Sequence, residues 1–127
     1  LSQNIGDTIR VSLTTDPSLE ITIAKEILAM THHLVKPTLI SCPTCGRTAY
    51  NMMPIVKEVE KYLNTINKDI KVAVMGCVVN GPGEAKHADI GIAGGLKKGV
   101  LFKKGEIIKT IPEEDIVKEL INEIEKM

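Results

Sequence analysis

Aromatic residues are almost absent: the 127 residues include two tyrosines, one phenylalanine and no tryptophan. A surface that holds nucleic acid by stacking bases needs such rings, so that class is excluded first. Charge of one sign is lacking too. Sixteen Lys and Arg offset sixteen Asp and Glu, which removes the electrostatic footprint of a nucleic-acid or anionic-membrane partner. No apolar run approaches the roughly 20 residues that span a bilayer, and the opening residues do not read as a signal peptide. The expectation is a cytoplasmic protein without nucleic-acid or membrane partners. The start at Leu1, in mid-pattern, suggests a piece of something larger.

Cysteine is scarce as well. Three thiols, an odd count, do not make a secreted disulfide framework. In a reducing compartment, thiols at short spacing more often bind metal or do redox chemistry. The remaining composition, 43% apolar and 25% charged, is that of a globular chain long enough to bury a core.

Periodicity predicts an α/β fold with a mixed sheet. Ile9-Arg10-Val11-Ser12-Leu13 alternates like a strand with one buried face. Thr14, Thr15 and Asp16 can cap a helix running to about Thr31, with Leu19, Ile23, Ile27 and Met30 on its apolar face. Thr38-Leu39-Ile40-Ser41 is a short strand ending at Cys42. A second helix begins near Asn51, with Ile55, Val56, Val59, Tyr62, Leu63 and Ile66 on one stripe. Val72-Ala73-Val74-Met75 has the unbroken apolar pattern of a strand covered on both faces. Ala88–Ala93 alternates and is expected to stop at Gly94-Gly95. Lys104-Gly105-Glu106 between two apolar runs signals a hairpin, and Pro112-Glu113-Glu114-Asp115 opens a last helix.

The chemistry concentrates in two segments. Cys42 and Cys45 form a CxxC pair beyond one strand, and Cys77 follows another in a Gly- and Pro-rich loop carrying Glu84. Carboxyl ends of strands in open α/β sheets form ligand crevices, so the thiols can converge. Spacing alone leaves several readings open. One is structural zinc completed by His32, His33 or His87. Another is a thioredoxin-like dithiol, and a third is an iron–sulfur cluster. Cys77 also reads as a small buried hydrophobe. Two details favour the cluster. Zinc ribbons carry a second CxxC or a paired His motif, which this chain lacks. Glu84 adds a hard oxygen donor, weakly matched to a soft iron–sulfide core and therefore displaceable.

Cys42-Pro43-Thr44-Cys45-Gly46-Arg47 and Met75-Gly76-Cys77-Val78-Val79-Asn80-Gly81-Pro82-Gly83-Glu84-Ala85 resemble the C-terminal part of the 4-hydroxy-3-methylbut-2-enyl diphosphate synthase family. Gly6–Leu13 resembles that family's barrel-closing strand, and Gly91-Ile92-Ala93-Gly94-Gly95 its glycine segment after the cluster loop. The likeness runs from about residue 5 to the last helix. It implies a [4Fe–4S] enzyme of the methylerythritol phosphate route to isoprenoids. Such enzymes reductively open and dehydrate 2-C-methyl-D-erythritol 2,4-cyclodiphosphate to (E)-4-hydroxy-3-methylbut-2-enyl diphosphate. The two electrons come from ferredoxin or flavodoxin. By position, the resemblance makes Cys42, Cys45 and Cys77 thiolate ligands and Glu84 the fourth ligand. It puts Asn80 near the substrate, and Arg10 and Ser12 beside the diphosphate.

An arginine there suits phosphate oxygens, being planar and permanently charged. By this resemblance, most of the family's barrel would be missing from this sequence. Residues 1–34 would be the last strand and helix of a truncated TIM-type barrel, and residues 35–127 a sulfite-reductase-like cluster domain. Family members pair head to tail as homodimers, with the pocket mainly in the barrel. The expectation is therefore a chain that holds a cluster without turning over substrate.

Overall fold

In the computed structural model, which describes residues 1–127 apart from 43, 79–82 and 84, the chain divides into two units, Leu1–Lys36 and Pro37–Met127. The first contains one helix, α1 (Ser18–Met30). It begins directly after Pro17 and the expected cap residues Thr14, Thr15 and Asp16. The Asp16 carboxylate accepts the Ser18 amide at 2.8 Å. Hydrogen bonds from Ser18 hold that carboxyl below its ordinary range. At the other end Thr31 Oγ1 donates to the Ile27 carbonyl at 2.8 Å, closing the last turn. The apolar stripe is present but uncovered: no residue of α1 is buried, and Leu19, Ile23 and Met30 are exposed.

The predicted strand over Ile9–Leu13 does not form; residues 8–13 carry no regular structure. A strand needs a ladder partner, and among the described residues this unit contains no strand to supply one. Instead the Leu13 amide donates to Glu20 Oε1 of α1 at 3.0 Å.

The second unit is built on one sheet. Its elements are β1 (Thr38–Ser41), α2 (Met52–Leu63), β2 (Lys71–Met75), β3 (Ile90–Gly95), β4 (Lys98–Lys103), β5 (Glu106–Pro112) and, after a 3-10 turn, α3 (Ile116–Glu125). The strands lie in sequence order. β1, β2 and β3 run parallel, whereas β4 and β5 are antiparallel additions. The mixed sheet is as the sequence led us to expect.

Two helices cover one face. Ile55, Val59 and Leu63 of α2 and Ile116, Leu120 and Ile124 of α3 pack with Val72, Val74, Ile90, Ile92 and Leu101. Each such side chain taken fully out of water contributes roughly 1.5–3 kcal/mol. The opposite face is thinner, with Ala73, Met75, Ala93 and Phe102 meeting Ala85 and Ala88. Alternation along β2 sends Val72 and Val74 to the helices and Ala73 and Met75 to the other side, so the unbroken apolar run is buried on both faces.

The Lys104-Gly105 hairpin forms with both residues at positive φ, +50° and +83°, the conformation a two-residue I′ turn requires. A second hairpin was not read from the sequence. Gly94 and Gly95 do not end β3 but continue it to a turn at Leu96-Lys97. No helix among the described residues is long and apolar enough to cross a membrane.

Candidate metal centre

Parallel pairing of β1 with β2 places the thiols. Ser41, the last residue of β1, is opposite Val74, one residue before β2 ends at Met75, so both segments leave the sheet at the same end. Cys42 thereby reaches the end of β2. The Gly76 amide donates to Cys42 Sγ at 3.1 Å, and Cys77 is the residue after. Gly76 is buried there, and a Cβ on it would come within 2.9 Å of Thr48 Oγ1 and 3.4 Å of Cys42 Sγ. Only the absence of a side chain permits this approach.

Cys45 opens a tight turn. The Thr48 amide donates to the Cys45 carbonyl at 3.0 Å, and the Cys45 amide to Thr48 Oγ1 at 3.1 Å. The Arg47 amide points at Cys45 Sγ, 3.5 Å away. The Ala49 amide then donates to the Gly76 carbonyl at 3.3 Å, tying this turn to the end of β2. Cys42 is half-buried and Cys45 exposed, both as free thiols, and Cys77 is half-buried. The sheet edge thus carries soft donors with backbone N–H groups directed at two of the sulfurs. That donor chemistry fits a thiolate-held metal or cluster. Among the described residues, no three or more His, Cys, Asp or Glu side chains are gathered so as to hold a metal ion.

The other sequence candidates fall elsewhere. Glu84 and Asn80 lie outside the described residues. Arg10 and Ser12 are exposed in the first unit, in the segment without regular structure. His32 and His33 are exposed in that unit as well, with His33 Nδ1 2.7 Å from the Thr31 carbonyl. His87 is exposed in the second unit.

Sequence reasoning missed Tyr50. Its ring is buried, and its hydroxyl donates to the Met75 carbonyl at 2.9 Å. The ring lies on Gly94, where a Cβ would stand 1.8 Å from it. Burial pushes the phenol pKa up, and electrostatic interaction with Cys42 and Glu113 pushes it further. The hydroxyl therefore keeps its proton and stays a donor. In a chain with three aromatic residues, a tyrosine five positions after a CxxC was the available signal.

Residues 38–126 match the GcpE protein C-terminal domain family. The chain is 60% identical to the 4-hydroxy-3-methylbut-2-en-1-yl diphosphate synthase (flavodoxin) of Clostridium acetobutylicum, over 100% of this chain and 37% of that protein. It is 56% identical to the protein of that name from Caldanaerobacter subterraneus, over 100% of this chain and 36% of the other. For the Bacillus pumilus protein of the same name the identity is 52%, over 100% and 35%. The chain thus spans little more than a third of the length of these relatives.

Proposed function

Because the chain belongs to the GcpE C-terminal domain family, we propose that it is the cluster-holding part of a 4-hydroxy-3-methylbut-2-enyl diphosphate synthase. The observation that carries this reading is the sheet edge where the Gly76 N–H meets Cys42 Sγ, with Cys45 and Cys77 beside it in sequence and turn. Cys42, Cys45 and Cys77 hold a [4Fe–4S] cluster in this reading, and Glu84 is its fourth, displaceable ligand. When bound, the cluster supplies electrons for breaking carbon–oxygen bonds of 2-C-methyl-D-erythritol 2,4-cyclodiphosphate.

The chain's own residues have other tasks. The Gly76 and Arg47 amides stabilise negative charge on the sulfurs, since each N–H points at a thiolate. Half-burial of Cys42 and Cys77 limits water around that charge. Asn80 contacts substrate, and Arg10 and Ser12 bind its diphosphate. The relatives' names carry flavodoxin, which favours it over ferredoxin as electron donor. We read residues 1–34 as the end of a barrel and residues 35–127 as a sulfite-reductase-like cluster domain in a cytoplasmic homodimeric enzyme. The relatives are more than twice as long, so this chain alone is expected to hold the cluster without turning over substrate.

Anaerobic reconstitution with iron and sulfide tests the assignment. About four irons per chain and a paramagnetic signal on reduction are expected. Glu84→Ala should alter that signal while the irons are retained. Tight zinc with no stable cluster would instead make the chain a structural zinc module.

A further inference from the structure

We propose that Tyr50 is a positioning residue that tunes the cluster site through a single peptide group. The carbonyl that accepts the Tyr50 hydroxyl belongs to Met75, at 2.9 Å. The amide that donates to Cys42 Sγ belongs to Gly76, at 3.1 Å. These are the two ends of one peptide unit. The bond is trans, there being no cis peptide among the described residues, so its C=O and N–H point in opposite directions. The hydrogen-bond chain is therefore continuous: Tyr50 O–H to Met75 C=O, then Gly76 N–H to Cys42 Sγ.

Such chains polarise one another. A proton donated to a peptide oxygen draws electron density from its nitrogen and makes the N–H a stronger donor. A stronger N–H···S bond stabilises negative charge on the sulfur. Reduction of a cluster adds negative charge, so hydrogen bonds to its sulfurs raise the reduction potential. Tyr50 thus acts on Cys42 without touching it.

Its setting suits that task. The ring is buried against Gly94, where even a methyl group would not fit, so the hydroxyl is held in one direction. Because the phenol stays protonated, the donation persists across the physiological pH range. Thr48 reinforces the arrangement. Its side chain lies against the Gly76 Cα, and its hydroxyl holds the Cys45 amide. The same few residues thus fix both the relay and the turn bearing the second thiol.

The inference rests on the cluster reading, yet the relay itself can be tested without metal. Tyr50→Phe keeps the ring on Gly94 and removes only the hydroxyl. Tyr62→Phe, on the half-exposed face of α2, serves as control. In the metal-free chain, the Gly76 amide proton should move upfield in the nuclear magnetic resonance spectrum of Tyr50→Phe and exchange several-fold faster. Tyr62→Phe should leave it in place. In the reconstituted chain, Tyr50→Phe should shift the midpoint potential to more negative values at unchanged iron content. An unmoved Gly76 amide in a folded Tyr50→Phe chain would overturn the relay. An unchanged potential would overturn its tuning role. Should Tyr50→Phe fail to fold, 3-fluorotyrosine at both tyrosines takes its place. The stronger phenol donor should then move the Gly76 amide downfield, and no movement would overturn the relay. A parent chain that takes up no cluster would sink the functional reading, while the amide shift would still decide the relay.

Discussion

At the level of single residues, two glycines matter because of what lies against them. Gly76 admits Thr48 and Cys42, and Gly94 admits the Tyr50 ring. Neither is at positive φ, so their role is close approach rather than backbone freedom. Gly94→Ala should be the more damaging change, since its methyl would overlap a buried ring attached to the turn that carries Cys45. Overpacking a rigid site of this kind costs about 3 kcal/mol. Urea unfolding should show a lowered midpoint with little change in slope. Tyr50→Leu in the same chain should restore part of the loss, because the clash and its relief share one pair of residues. Equal losses from Gly94→Ala with and without Tyr50 would mean that the ring is not what the glycine accommodates. The sequence displayed Gly94-Gly95 plainly but suggested the wrong meaning. A glycine pair after an alternating run usually ends a strand, and only the packing of Tyr50, 44 positions earlier in the chain, explains why this one continues.

At the level of elements, legibility followed locality. β1 was read to its final bounds, and α2, β2, the Lys104-Gly105 hairpin and α3 were recognised, because each is announced by its own residues: apolar period, Gly at a turn, acids at a helix start. The thiol-bearing edge was foreseeable for the same reason, with both cysteine segments following strands. The strand over Ile9–Leu13 was not, since alternation states only that a segment suits a sheet; the partner must come from elsewhere. Nor was the tie between the edge strand β5 and α3. Lys109 of β5 pairs with Glu119 of α3, on the face where Lys109 stands opposite Leu101. The hydrogen bond and charge of Lys109 hold the Glu119 carboxyl below its ordinary range. A carboxyl depressed on folding adds stability above its unfolded pKa, and that stability is lost as pH falls through the folded value. Glu119→Gln should therefore destabilise slightly at neutral pH and make no difference in acid, once the carboxyl is protonated in the folded chain as well. Denaturation of parent and variant from neutral pH into acid checks the sign. The effect should be small, the pair being partly exposed to solvent.

At the level of the whole molecule, the two units differ in what could stabilise them. Every residue of the hydrophobic core belongs to Pro37–Met127, and none of residues 1–36 is buried. A segment of that length without a core cannot offset the conformational entropy lost on ordering it. Its helix has an apolar stripe exposed to water, and an isolated helix of 13 residues is marginal. Hydrogen exchange should then separate the units. Amides of β2, β3 and β4 should exchange at the rate of global unfolding, and those of residues 1–36 orders of magnitude faster. Deleting residues 1–36 should move the melting temperature by less than about 4 °C, the lower end of what 1 kcal/mol does in a domain of this size. It should also leave iron uptake unchanged, since Cys42, Cys45 and Cys77 all belong to the second unit. Comparable protection in both units, or a much larger fall in melting temperature, would show that the first 36 residues do contribute stability. The stability of the sheet that carries the thiols would then depend on more than its own core.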